Sequence, residues 1–324
     1  MKTHKVLLAC LKADFGEDGI EKHDERGIFI NSSWEYCNLY DAWKQLEDEG
    51  IIELHTHWVD QQNNPVGFER LLSLAKEMDF IFHCGVNHGL GIPLPQARPI
   101  IEGGTSIVDF SPDTHARWAI PGENWILGRH QEGYITHWLT PAKHMLPQME
   151  KAGMKAKWMP FGIPSWCDRL PGEEQVYDVG FVGQKHGIRE QVISQLRGAG
   201  IRVHTWGHFW SPHKDHHGRP DGQEMARIFN QTKINLNLRW TSRNPNWGQI
   251  KGRDFELFGC GAFMLATQHV ECNDLHELYS PIADFAEYHY INEMIDGIKH
   301  WLENEASRCV IADNAYHKRE ANLW

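Results

Sequence analysis

The sequence predicts an α/β chain made of two successive doubly wound units, each built on a parallel sheet. Three observations carry this. Short apolar runs of strand length alternate with amphipathic helical stretches. The rhythm breaks at a turn-rich segment, residues 158–174, and then restarts. A length of 324 residues suits two domains of ordinary size better than one core. The expected boundary gives units of residues 1–165 and 166–324.

In the first unit, Lys5 to Leu11 reads as a buried strand, followed by a charged loop, Glu17 to Gly27, expected to be mobile. Ser33 to Leu46 has apolar residues at helical spacing and runs to Gly50. Ile51 to Val59 alternates in strand fashion. Gly67 to Asp79 carries a helical stripe of Leu71, Leu72, Leu74, Ala75 and Met78. Phe80 to Cys84 and Thr105 to Phe110 are the next buried strands, and Gly133 to Leu139 another. Pro141 to Gly153 reads as a helix, with Pro147 as a candidate kink.

In the second unit, Val176 to Gly183 is a strand that ends on glycine, and Gly187 to Leu196 is its helix. The turn 183–187 has the glycines of a phosphate-cradling turn but lacks full GxGxxG spacing. Ile201 to Gly207 is a strand, Gln223 to Gln231 a helix and Lys233 to Arg239 an alternating strand. Then comes the stretch from Asn246 to Leu265, read as loop, helix, glycine C-cap and buried strand. Asn273 to Tyr279, Ile291 to Glu303 and Ala306 to Arg319 are expected to be helical.

Hydrophobic content of 41% and charged content of 23% are those of a soluble globular protein. A net charge of −11 argues against a surface wide open to nucleic acid, although a local basic cleft is compatible with it. Seven scattered cysteines with no CxxC spacing read as reduced thiols in a cytoplasmic protein. No stretch approaches a membrane span.

Two places carry candidate chemistry. Asp109, Asp113 and His115 follow or end a predicted strand at the carboxyl edge of the first sheet, where open α/β sheets hold ligands. They are candidates for acid/base work; the plain alternative makes Asp113 a helix N-cap. In the second unit, Lys251 and Arg253 stand where a helix begins, so that their charges and its free N–H groups can hold one anion. The plain alternative is two solvated cations. His213, His216 and His217 have the close spacing of metal ligands, but a mobile loop of solvated histidines is the plainer reading.

The second half also resembles a family, the CgeB/YkvP-like glycosyltransferases with their group 1, type 2 C-terminal domain. The matching residues are Asp178 to Gly183 with Arg189, Met225 to Phe229 leading into Lys233 to Asn237, and Gln249 to Glu256 before Gly261 to Leu265. The series spans residues 177–315. The first half is similar in rhythm, with Thr105 to Asp113 and Trp158 to Gly162 as its better matches.

The resemblance implies a GT-B architecture, two Rossmann-like domains with parallel sheets facing a central cleft, in which terminal helices can pack back on the first domain. It implies a glycosyltransferase that moves a sugar from a nucleotide-diphosphate sugar to an acceptor hydroxyl. The donor would be held by Gly183, Lys185, Arg189, Asn237, Gln249, Lys251, Arg253 and Glu256. Glu256 falls where the last Glu of the E-x7-E motif contacts the ribose, while the first Glu of that motif is replaced by Gly248. No D-x-D triplet occurs, so no metal and no other cofactor is expected. The acceptor class stays open among carbohydrate, protein and a hydroxymethylated base in phage DNA. The competing reading is a non-catalytic nucleotide- or carbohydrate-binding protein of the same fold.

Overall fold

The computed structural model describes residues 3–11, 39–59, 65–84, 94–114, 118, 125–133, 135–220, 222–240, 248–268 and 273–319. The chain divides into two units, Met1–Met159 and Pro160–Trp324.

The first unit contains β1 (His4–Leu11), α1 (Asp41–Asp48), β2 (Ile52–Val59), α2 (Pro65–Ala75), β3 (Phe80–Cys84), α3 (Leu94–Glu102) and β4 (Ser106–Phe110). It continues with α4 (Trp125–Glu132), β5 (His137–Thr140), α5 (Leu146–Lys151) and β6 (Ala156–Trp158). The six strands form one parallel sheet in the order β2-β1-β3-β4-β5-β6. The alternation of side chains decides which helix covers which face. Leu7, Ile81 and Ile107 point to one face and pack with Leu71 and Ala75 of α2, Ile100 of α3, Ile126 of α4 and Met149 of α5. Phe82 points to the other face, where its ring lies 5.0 Å from that of Trp43 on α1. The sheet is therefore wound on both sides, and its order reverses between β1 and β3.

The second unit contains β7 (Tyr177–Val182), α6 (Arg189–Gly198), β8 (Val203–Trp206), α7 (Gly222–Asn230), β9 (Thr232–Asn237) and α8 (Gly252–Gly259). After these come β10 (Met264–Thr267), β11 (Ala286–Tyr288), α9 (Ile291–Glu303) and α10 (Glu305–Lys318). Its five parallel strands run β11-β10-β9-β7-β8, so the reversal falls between β7 and β9. Val179, Ile234 and Leu265 form the core on one face with Ile193 and Leu196 of α6, Met294 and Ile298 of α9 and Ile311 of α10.

Several expectations need correction. The Gly133–Leu139 strand begins only at His137, because Gly133 (φ 78°) is spent closing α4. The expected helix over 141–153 is a 3-10 turn, Lys143–Met145, followed by α5. Pro147 sits in the first turn of α5, where its missing N–H has no helical partner to lose, so no kink results. Residues 273–279 contain a 3-10 turn, Asp274–Glu277, rather than an α-helix. Helices α3 and α4 and strands β6 and β11 were not expected. The Ser33–Leu46 helix is seen as Asp41–Asp48, and its start and the Glu17–Gly27 loop lie outside the described residues.

Candidate functional site

At the carboxyl edge of the second sheet, the turn after β7 is held from above rather than left open. The Gly183 N–H donates to the Trp206 carbonyl (2.8 Å) and the Lys185 N–H to the His208 carbonyl (3.0 Å). The Gly183 carbonyl accepts the indole N–H of Trp210 (2.8 Å). Two glycines make this approach possible. A Cβ on Gly207 (φ 126°) would lie 2.3 Å from the Gly183 carbonyl oxygen. The Lys185 ammonium pairs with Glu190 at 3.1 Å. Arg189 donates to the Gln184 carbonyl (3.1 Å) and the Leu238 carbonyl (3.0 Å), tying together the ends of β7 and β9 at the point where strand order reverses.

The entry to α8 is organised around Asp254, which is fully buried. Its carboxylate accepts the Lys251 N–H (2.7 Å), and its own N–H returns to the Lys251 carbonyl (3.1 Å). The same carboxylate takes the Asn237 amide (2.8 Å) and the Arg239 Nε–H (2.7 Å). Arg239, also buried, reaches Glu287 (3.0 Å) and the Thr267 carbonyl (3.3 Å), and Glu287 meets the His276 ring at 2.9 Å. One connected polar network thus fixes the loop that presents Lys251. Burial pushes the Asp254 carboxyl above its ordinary value, against the pull of the Arg239 charge. Helix geometry leaves the N–H groups of Gly252 and Arg253 in the first turn without intrahelical partners. Lys251 and those donors stand together at the start of α8.

The remaining candidates lie inward. Gln249 is buried, and the Asn237 amide is committed to Asp254. The Arg253 guanidinium turns back along α8, 2.6 Å from Glu256 and 4.9 Å above the Phe229 ring. Glu256 is 4% exposed, and burial raises its carboxyl while Arg253 opposes that rise. Its Oε2 is the oxygen in contact with Arg253. Helix α8 ends as the sequence indicates. Gly261 (φ 59°) closes it, with the Ala262 N–H donating to the Leu257 carbonyl.

In the first unit, Asp109 is 1% exposed and faces His83, with Oδ2 and Nδ1 2.5 Å apart. Asp113 is half-buried in the turn after β4, where Thr114 bonds to the Ser111 carbonyl (2.8 Å) and receives the Thr140 hydroxyl (2.7 Å). His115 lies outside the described residues. The histidine-rich loop is a correction. It is folded along the edge strand β8, with the Thr205 N–H on the Asp215 carbonyl and the His217 N–H on the Thr205 carbonyl. His217 stacks on Trp206 (4.8 Å) and bonds to His204 (2.8 Å), and burial lowers both imidazoles from their usual value. Among the described residues no group of three or more His, Cys, Asp or Glu side chains could hold a metal ion.

Sequence reasoning missed His83, Arg239, Asp254, Glu287 and His276. The spacing of Lys251 and Asp254, cap to third helical position, is the one local signal that could have found part of this set.

Two successive doubly wound parallel sheets are the α/β arrangement of the GT-B fold. Residues 188–322 match the model of the family described as glycosyl transferase-like. Solved structures agree across the whole chain. The Anabaena protein Alr3699/HepE in complex with UDP-glucose is 13% identical with a TM-score of 0.65, covering 99% of this chain and 95% of that one. An α-glucosyltransferase in complex with UDP and a 13-mer DNA containing a HMU base is 9% identical (TM-score 0.60; 99% and 96% covered). The apo lipopolysaccharide outer core galactosyltransferase WaaB is 11% identical (TM-score 0.55; 98% and 95% covered). No curated protein matches in sequence. The family match lies in the second unit, and the likeness to these solved structures, at 9–13% identity, is one of fold. Among the described residues no helix is long and apolar enough to cross a membrane.

Proposed function

We propose that this protein transfers a hexose from UDP-glucose or a close UDP-sugar to an acceptor hydroxyl, without a metal, in the cytoplasm. The observation that carries the reading is the helix entry at Lys251, placed within a segment that matches a glycosyl transferase-like model. UDP-glucose in the complexes of similarly folded proteins favours that donor. The motifs from Asp178 to Leu265 favour the CgeB/YkvP-like branch.

As the bond from the anomeric carbon to the diphosphate breaks, negative charge grows on the departing oxygen. Lys251 and the N–H groups of Gly252 and Arg253 stabilise that charge, which is the task a divalent cation performs in metal-dependent enzymes. Lys185 and Arg189 complete the cationic rim at the β7 turn. Glu256, paired with Arg253 on the same helix, takes the ribose hydroxyls. Asn237 acts through Asp254, whose carboxylate also takes the Lys251 N–H. On the acceptor side Asp109, Asp113 and His115 are the candidates for contact with the acceptor.

Thermal-shift titration with UDP-glucose, with and without EDTA, followed by assay of UDP release with carbohydrate, protein and hydroxymethyluracil-DNA acceptors, tests the reading. Stabilisation that survives EDTA, with UDP released, is expected. Lys251→Ala should weaken UDP-glucose by about 10- to 100-fold, the size of a charge-assisted hydrogen bond, while leaving the melting point without donor unchanged. No stabilisation by any nucleotide sugar would sink the proposal. Binding without turnover would favour a binding protein, the reading to which Gly248 at the first motif position points.

A further inference from the structure

We propose that His83, held by Asp109, forms a subsite in the first unit that accepts a hydrogen bond from a sugar hydroxyl. The inference rests on the glycosyl-transfer reading above and adds a residue that reading does not need.

His83 stands at the carboxyl end of β3, next to β1, where the order of the first sheet reverses. Crevices at such points are where open α/β sheets take ligands. The sheet register puts Ala9, His83, Asp109 and Trp138 in one row across four strands. Their side chains therefore share a face. On one side of His83 the row offers the methyl group of Ala9 and, beyond it on β2, the buried His57, and on the other the Asp109 carboxylate takes up Nδ1 at 2.5 Å. That contact places the ring proton on Nδ1 and leaves Nε2 with a lone pair.

Nε2 is buried and has no hydrogen-bond partner among the described residues. The indole N–H of Trp138, in the same row, is equally buried and equally without a partner. Buried polar atoms are nearly always paired, so two orphans in one row at a ligand-binding edge mark polar groups awaiting a partner. A lone pair on Nε2 and a donor on Nε1 suit hydroxyl chemistry, since a hydroxyl both donates and accepts. A diphosphate does not fit, because Nε2 is an acceptor and the nearest charge in the row is the carboxylate of Asp109.

The hydroxyl has two possible sources, the donor sugar and the acceptor, and the affinities of UDP-glucose and UDP separate them. His83→Gln is the test, with Asp109→Asn as a second variant that keeps His83 but shifts its ring proton towards Nε2. Melting of each variant without ligand checks that it folds. If the hydroxyl is the donor's, both variants bind UDP-glucose about 10- to 100-fold more weakly and UDP unchanged. If it is the acceptor's, UDP-glucose affinity is unchanged and the rate of UDP release falls by a similar factor at saturating donor. Variants that fold, bind both nucleotides and turn over as the parent does would overturn the subsite alone. A parent protein that binds no UDP-sugar would overturn the glycosyl-transfer reading, and this inference with it.

Discussion

Arg239→Met separates the network's charge from its packing. The substitution keeps most of the stem but removes the guanidinium that stands between Asp254 (2.7 Å) and Glu287 (3.0 Å). All three residues are buried, so the loss leaves two carboxylates without their shared counter-charge. Breaking a buried pair from one side costs about 3–5 kcal/mol. Both carboxylates keep other donors. Asp254 retains the Lys251 N–H and the Asn237 amide, and Glu287 retains His276. We therefore expect the middle of that range, about 4 kcal/mol, or about 10³-fold in an equilibrium constant. Amide hydrogen exchange of β9 and β10 in the full-length chain reads this directly, because those amides report the opening free energy of the second unit. Their exchange should accelerate by about 10³-fold. Adding Asp254→Asn and Glu287→Gln to the same protein should recover a large part of the loss, since no buried charge then remains. Acceleration of less than tenfold, or a triple variant as weak as the single one, would refute the reasoning.

Two further outcomes are expected. The Glu256 carboxyl is raised by burial, so the folded state holds its proton more tightly than the unfolded chain does, and ionisation costs stability as pH rises above the usual carboxylate range. The stability of the parent relative to Glu256→Gln should thus fall between pH 4 and pH 7 in urea melts; a rise would mean that attraction to Arg253 outweighs burial. Gly207→Ala and Gly218→Ala both place a methyl group at positive φ, but only the first drives it into the Gly183 carbonyl, while the second meets open space. Gly218→Ala should cost about 1–2 kcal/mol and Gly207→Ala about 2–5 kcal/mol with loss of UDP-glucose binding, and equal melting points would contradict the close approach.

What could be read in advance depended on how local the signal was. Strand β3 and helix α9 have the limits their apolar periodicity indicates, because long patterned segments settle their own conformation. Strands β6 and β11 are three residues long and are defined by pairing with β5 and β10, which no local pattern records. Helix α3 was hidden by Pro99, yet it continues past that residue, with the Gly103 N–H donating to the Pro99 carbonyl. The sites divide in the same way. The helix start that carries Lys251 and Glu256 is a local pattern and was legible as a helix start. His83 sits inside an apolar strand run, and its meaning comes from Asp109, 26 residues later. Arg239 read as the polar end of an alternating strand, whereas its partners lie 15 and 48 residues away.

The polarity of the two carboxyl edges bears on which substrate part each unit serves. At the reversal point of the second sheet, Arg189 bonds to the terminal carbonyls of the β7 turn and of the β9 end, and so offsets the partial negative charge that parallel strands present there. Lys185 and Lys251 add positive charge from the neighbouring loops. An edge of this kind suits a diphosphate, and the cost of desolvating the anion is met by groups already in place. The reversal point of the first sheet holds a histidine bound to a carboxylate, with Ala9 beside it. A phosphate there would meet Asp109 as a like charge, whereas a neutral hydroxyl would meet a lone pair it can donate to. The charge of each edge, taken separately, supports the proposals that put the nucleotide on the second unit and a sugar hydroxyl on the first. Exchanging the two roles would place an anion against a buried carboxylate.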